Sequence, residues 1–182
     1  MRAAKGAKAP SHRRTWLALA RRYSELSKPK LALDTAEAGF RKFPENFVLG
    51  MEYAKALIDT RQFQAALDIL DRLAVLPYEN ASEGRVLYEK AHLLLAGDAI
   101  HERKYEEALA HIAKSREWPE HLGAGKPYDP DERLQGFMVT ICRNKLGKGS
   151  GTAQENIELK ELKADLKRLS PWKRELLLVL SR

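Results

Sequence analysis

Three alanines that recur at a nearly regular interval constrain this chain more than any other feature of its sequence. Each stands fourth in a segment that opens with a proline or an aromatic residue: Pro29-Lys-Leu-Ala32, Phe63-Gln-Ala-Ala66 and Tyr105-Glu-Glu-Ala108. The interval from Ala32 to Ala66 is 34 residues, and the interval from Ala66 to Ala108 is 42 residues. A period of this size indicates repeated supersecondary units that bury their apolar faces only by stacking.

A second pattern precedes each of these alanines and predicts an earlier helix in the same unit. The first unit shows the order W-x2-L-G-x2-Y, with alanine in place of glycine, at Trp16, Leu19, Ala20 and Tyr23. Ala54 and Ala96 are the equivalent small residues of the next two units. Each unit ends with a proline: Pro44, Pro77 and Pro119.

Across residues 12–119 these patterns resemble the tetratricopeptide (TPR) repeat family. The chain departs from the family pattern where Gly50 and His92 stand in the position of Trp16. The resemblance implies an all-α fold, a right-handed solenoid of antiparallel helix hairpins. Because two helices approach closely only where their facing side chains are small, we expect three buried contacts. These are Ala20 with Ala32, Ala54 with Ala66, and Ala96 with Ala108.

The last third of the chain departs from the simple repeat. A loop rich in glycine and proline precedes Asp129-Pro130, which has the acidic cap and first-turn proline of a helix start. We expect that helix to end before Gly147, and the loop to be anchored by Leu122 and Tyr128. Two C-terminal helices should follow, one with leucines at 3-4-3 spacing and one that begins at Ser170-Pro171. They are predicted to cap the solenoid, and a dimerisation seam is the alternative.

These features predict four regions. They are a basic flexible tail at 1–11, about three and a half TPR-like hairpins at 12–146, a flexible connector at 147–153 and amphipathic capping helices at 154–182.

The net charge of the chain comes from its N-terminus. The formal net charge is +7, yet residues 1–22 contain seven Lys or Arg and no acid, so the remainder is neutral. Nucleic-acid binding would need clustered cations on the folded region as well, and we do not expect it. No apolar run approaches a membrane-spanning length, and the first residues lack the apolar core of a signal peptide. The expected setting is cytoplasmic, with no membrane partner.

No complete catalytic or metal-binding motif is evident. His101-Glu102 opens like a zinc-protease helix, but Tyr105 stands where the second histidine is required. Gly123-Ala-Gly-Lys126 lacks the Ser or Thr and the preceding strand of a phosphate-binding loop. The single cysteine, Cys142, lies in an apolar stretch and is expected in the core. We therefore expect no enzymatic activity, no cofactor and no metal site.

The first helices of a solenoid line its concave groove, which is where a partner binds. Two sets of residues should face that groove by their register: Arg21, Lys55 and Gly97, and Arg14, Val48 and Lys90. Two of three are basic in each set, which predicts an acidic peptide or a terminal carboxylate as partner. Nearby Glu25 and Asp59 favour the alternative of a groove of mixed charge. The expected function is a non-catalytic, monomeric interaction scaffold that binds a partner protein through Arg14, Arg21, Lys55 and Lys90, with loop contacts from His121 and Lys126.

Residues 60–147 show a closer resemblance. They look like the TPR region of large bacterial proteins that carry a β-rich domain of unknown function ahead of the repeats. The runs at 77–85 and 118–133 carry this resemblance. It implies an alternative function, an accessory helical module of a carbohydrate-processing or sensing protein whose β-rich domain is not in this chain.

Overall fold

The computed structural model describes residues 11–76 and 81–181, and every regular element in these ranges is helical. This confirms the expected all-α class for the described part of the chain. None of these helices combines the length and the apolar character needed to cross a membrane. The α-helices are α1 (Arg13–Glu25), α2 (Pro29–Lys42), α3 (Phe47–Asp59), α4 (Phe63–Leu70), α5 (Glu83–His101), α6 (Tyr105–Ser115), α7 (Arg133–Lys145), α8 (Thr152–Ala164) and α9 (Pro171–Leu180).

The chain separates into two compact units, one up to Val75 and one from Leu76. The first unit contains α1 to α4, and the second contains α5 to α9. The predicted basic tail lies outside the described residues, except for Ser11. Pro77, the predicted last residue of the second unit of the repeat, also lies outside them. The predicted boundaries of the repeat region and of the connector stay predictions.

Small residues let the helices of the first unit approach one another. Helix α1 packs against α2 and α3, and α3 packs against α4. Ala20, Ala36 and Ala56 form one buried cluster. A Cβ atom added to Gly39 of α2 would lie only 2.9 Å from Cβ of Trp16 on α1, so glycine is required at this crossing.

The six alanines expected at the helix contacts are all buried. Their exposed fraction is 5% or less: Ala20, Ala32, Ala54, Ala66, Ala96 and Ala108. The predicted burial of these alanines is therefore confirmed, and the three pairwise contacts stay predictions. Ala65, one position before Ala66, is only partly buried, as a change of helix face requires.

Three successive hairpins use the same three-residue turn. The turns are Leu26–Lys28 between α1 and α2, Thr60–Gln62 between α3 and α4, and Glu102–Lys104 between α5 and α6. The middle residue of each has a left-handed backbone, with φ of 54° at Ser27, 62° at Arg61 and 62° at Arg103. Each lies five residues before one of the recurring alanines. The turn is therefore the structural counterpart of the sequence repeat.

The same backbone hydrogen bond closes each of these turns. The amide N–H of the third turn residue donates to the carbonyl five residues earlier: Lys28 to Tyr23 at 2.9 Å, Gln62 to Leu57 at 2.8 Å and Lys104 to Ala99 at 2.8 Å. This six-to-one bond is characteristic of a helix that ends in a left-handed residue. A connection this short makes neighbouring helices pack as a hairpin.

The second unit has one larger core. Helix α5 packs against α6 and α9, while α7 packs against α6 and α8. Phe137, Met138 and Cys142 of α7 are fully buried in this core with Leu177 of α9. The expected core position of Cys142 is thus confirmed, and burial raises the pKa of its thiol to about 11.

The ends of α7 show one prediction that is correct and one that is wrong. The helix ends as expected before Gly147, which has a φ of 70°. Its start is at Arg133 and not at Asp129-Pro130. The reason is Asp131, whose carboxylate accepts hydrogen bonds from the backbone N–H and the guanidinium of Arg133. These bonds hold Asp131 outside the helix.

The prediction for the C-terminal helices is correct at the start of α9 and wrong along the length of α8. Helix α9 begins with Pro171 directly after Ser170, as expected. The leucine pattern predicted one continuous amphipathic helix through Leu166 and Leu169. Instead α8 ends at Ala164, and a short 3-10 helix at Leu166–Arg168 follows. The break lies at Asp165, whose carboxylate forms ion pairs with Arg133 and Arg168.

Overpacking should test the register at Ala66. Replacing Ala66 by Leu inserts three carbon atoms into a site with no exposed surface and should destabilise the chain by about 1–3 kcal/mol. Ala65→Leu adds the same atoms on a partly exposed face and should change the free energy of unfolding by less than about 1 kcal/mol. Urea unfolding of the two variants gives the comparison, and equal midpoints would contradict the assigned helix face.

The left-handed turn predicts that glycine is a more stable replacement for Arg103 than alanine is. Glycine adopts a positive φ without the steric conflict of a Cβ atom, so Arg103→Gly should be about 1 kcal/mol more stable than Arg103→Ala. Both variants remove the same exposed side chain, so their difference isolates the backbone. Thermal unfolding measures it. An alanine variant as stable as the glycine variant would show that the turn is not left-handed in solution.

Candidate functional site

An open cavity of about 310 Å³ lies in the first unit. Its walls come from the end of α1, the α1–α2 turn, the start of α2 and one face of α3. The lining residues are Ser24, Ser27, Pro29, Ala32, Glu52, Lys55, Ala56 and Asp59. This volume lies at the lower end of the range for ligand-binding pockets, about 300–1,000 Å³, and accommodates a few side chains of a peptide.

Lys55 is the predicted groove residue that the structure places in this cavity. It is partly buried on α3, one helical turn before Asp59 and one position before Ala56. Its ammonium group has no ion-pair partner among the residues that the structure describes. Asp59 does take part in an interaction. The cavity thus has mixed charge, with Lys55 as the cation that is open to an incoming group.

Arg21, the second predicted groove cation, forms an ion pair with a buried glutamate. Its Nε atom lies 2.9 Å from Oε2 of Glu52, whose side chain is only 5% exposed. A buried carboxylate is costly without such a partner. Arg21 therefore neutralises Glu52, and the net positive charge at this face is smaller than the sequence pattern predicts. The Arg21 side chain as a whole remains 48% exposed.

The remaining predicted groove residues are not brought together at this cavity. Arg14 is exposed on α1, and Lys90 is partly buried on α5 in the second unit, where it has an interaction of its own. Gly97 corrects the prediction. We expected it to face an open groove, but it is buried, and a Cβ atom there would lie 2.8 Å from Cδ1 of Leu176 on α9. Helix α9 therefore covers this face of α5.

The loop before α7 meets the prediction at one anchor and not at the other. Leu122 is fully buried and packs over Gly84 of α5. Tyr128 was expected to tuck against the hairpins, but its side chain is fully exposed. Pro127 and Pro130, whose rings fix the backbone angle φ, stand on either side of it in the sequence. His121 and Lys126 are also exposed.

A buried charge cluster in the second unit was not predicted. Glu89 of α5 accepts a hydrogen bond from Nζ of Lys173 at 2.6 Å and one from Nε2 of Gln135 at 2.9 Å. Arg85, also on α5, donates from Nη2 to the Ser115 carbonyl at 2.7 Å. This bond satisfies a carbonyl at the C-terminus of α6. The cluster fastens α6, α7 and α9 to one helix, and only the fold brings its members together.

Arg85 also stacks on an aromatic ring. Its guanidinium carbon lies 4.4 Å from the ring centroid of Trp118. Burial lowers the pKa of Arg85, and the charge of Glu89 opposes that effect. An arginine stays charged in proteins under these conditions. The stacking and the Ser115 bond therefore hold a permanent positive charge inside the unit.

Two histidines that are 19 positions apart in sequence meet between α5 and α6. Nδ1 of His92 lies 3.1 Å from Nδ1 of His111, and the edge of Tyr88 lies against the His92 ring. Burial and, to a smaller extent, the neighbouring His111 lower the pKa of His92 to about 4. Burial also lowers the pKa of His111, with Glu107 opposing. Both rings are therefore neutral at pH 7, and one donates to the other.

The described residues contain no group of three or more His, Cys, Asp or Glu side chains arranged to hold a metal ion.

The histidine pair predicts a loss of stability in mild acid. The pKa of His92 is about 4 in the folded chain and about 6.5 in an unfolded chain. Between these pH values the unfolded state binds more protons, so stability is complete above pH 6.5 and falls as the pH drops toward 4. The change from pH 7 to pH 5 should be about 2 kcal/mol.

Urea unfolding at both pH values provides the measurement. His92→Asn keeps a polar side chain that does not titrate, so this variant should lose much less stability than the wild type over the same interval. His121→Asn is the matched control, because His121 is exposed in the loop, and it should behave like the wild type. Equal pH dependence in the wild type and in His92→Asn would refute the assignment.

Comparison of the chain with protein-family models, with curated proteins and with solved structures finds no match. The resemblance to the TPR family therefore stays an expectation from the spacing of residues in the sequence.

Proposed function

We propose that this chain is a protein-interaction module built from TPR-like hairpins, and that its first unit binds an acidic segment of a partner protein. Lys55 is the observation that carries the proposal. It is a cation without an ion-pair partner among the described residues, and it lines an open cavity of about 310 Å³. A carboxylate that enters the cavity would find a charge-assisted partner there.

The repeated hairpins support a solenoid of the TPR kind. Three hairpins share one turn geometry, one closing hydrogen bond and one buried alanine position. In the first unit the first helices of successive hairpins, α1 and α3, also pack against each other. Stacked hairpins of this type form right-handed solenoids whose first helices supply the binding surface. Helix α3, the first helix of its hairpin, provides four residues of the cavity, which supports the use of this surface for binding.

The cavity favours one carboxylate over an extended acidic peptide surface. Arg21 is already paired with Glu52, and Asp59 adds a carboxylate to the cavity wall. Ser24 and Ser27 offer hydroxyl donors beside Lys55. Leu26 in the turn and Leu31 in the first turn of α2 are 48% and 44% exposed and offer apolar contact. We therefore propose a ligand with a single acidic group next to an apolar residue.

The alternative of an accessory module for a carbohydrate-processing or sensing protein stays a prediction. The proposed mode of action is binding without catalysis, and it involves no cofactor.

A peptide array tests this proposal. We expect wild-type protein to bind a subset of immobilised ten-residue acidic peptides and to bind neutral and basic ones less. For the tightest peptide, Lys55→Glu should raise the dissociation constant about tenfold or more, because a charge-assisted bond becomes a repulsion. Fluorescence anisotropy with the labelled peptide measures this change.

Lys30→Glu is the matched control for the array. It makes the same charge change at an exposed position of α2 that does not line the cavity, and it should alter binding less than twofold. Circular dichroism of both variants checks their helix content. The proposal fails if acidic peptides are not preferred, or if Lys55→Glu and Lys30→Glu bind the selected peptide equally well.

A further inference from the structure

The position that matches Lys55 in the second unit is covered by the chain itself. Lys55 follows Ala54, and Gly97 follows Ala96, the equivalent residue of the repeat. In the first unit this position lines an open cavity. In the second unit it lies beneath Leu176 of α9, whose Cδ1 atom is 2.8 Å from the place of a Cβ atom at Gly97. Helix α9 thus occupies, in its own unit, the type of surface that a partner is proposed to use.

Helix α9 makes two kinds of contact with α5. Leu176 lies over Gly97, and Leu177 is fully buried in the core of the unit. Lys173, one turn earlier, places Nζ 2.6 Å from Oε1 of Glu89, with both side chains about 15% exposed or less. An apolar ridge set over a glycine and one charged anchor are the elements of helix-in-groove recognition.

The helix is bound less completely than the core around it. It has ten residues, a length at which an isolated helix is marginal in water, so its helical state depends on α5. Oγ of Ser170 and Nε of Arg174 are buried without a hydrogen-bond partner. Leu178 and Val179 on its outer side remain 52% and 57% exposed. These features mark α9 as the helix whose position depends most directly on its contacts with α5.

We infer that the Gly97 face of α5 is a helix-binding site that α9 fills as an internal ligand. The external partner of this site is an amphipathic helix with the chemistry of α9, in which a Lys or Arg precedes a pair of leucines by three positions. The cation would pair with Glu89, and the first leucine would lie over Gly97. Such a helix has access only when α9 detaches.

A charge reversal in the full chain tests the inference. Lys173→Glu places two carboxylates together and should detach α9. The probe is a fluorescein-labelled peptide with the sequence of residues 169–182. We expect the Lys173→Glu chain to bind this peptide at least tenfold more tightly than the wild-type chain does, because the added peptide restores the pair with Glu89. A peptide that carries Lys173→Glu should not bind.

Two controls separate detachment from general damage. Lys163→Glu makes the same charge change at an exposed position of α8 and should bind the peptide no better than the wild type. Circular dichroism verifies that the Lys173→Glu chain stays helical. If that chain is folded and does not bind the wild-type peptide, or binds both peptides equally, the inference is overturned.

Hydrogen exchange on the wild-type chain gives an independent test that needs no variant. The amides of α9 should exchange at least tenfold faster than those of α6, which belongs to the same unit. Equal protection of the two helices would show that α9 is an integral core helix and would overturn the inference. This site uses none of the residues beside Lys55, so its failure and the failure of the proposed peptide site can be told apart.

Discussion

The burial of small residues on the paired helices is the constraint on which the rest of the structure depends. At Ala66 and Ala108 no side-chain surface remains exposed, so a larger residue has no space at either contact. Small residues at these points let larger ones on the neighbouring turns interlock. Apolar packing therefore sets the positions of the helices in each hairpin. The positions of the polar groups follow from it.

The turns convert this packing into a repeat. Three connections of the same length place a left-handed residue five positions before the buried alanine, although none of the three is glycine. A serine and two arginines accept this backbone because the hydrogen bond from the third turn residue closes the end of the first helix. The energetic cost of one left-handed residue is small relative to the stabilisation from the apolar surface that each hairpin buries.

Charge is used differently in the two units. In the first, Arg21 compensates the buried Glu52 and leaves Lys55 available at an open cavity. In the second, Glu89 is satisfied by Gln135 and by Lys173 of the terminal helix, which lies over the equivalent face. The equivalent positions Lys55 and Gly97 thus differ in exposure. Lys55 lines an open cavity, whereas α9 covers Gly97.

The sequence by itself determined the all-helical class, the burial of the recurring alanines, the end of α7 and the start of α9. These features depend on side-chain size, periodicity and turn chemistry, which act over a few residues and can be read from spacing. Only the tertiary structure decided which polar groups meet. Lys173 reaches Glu89 across 84 positions, and the pairing of His92 with His111 depends on the relative rotation of α5 and α6. Spacing along one helix does not encode such rotation, because it follows from how every side chain in the core packs.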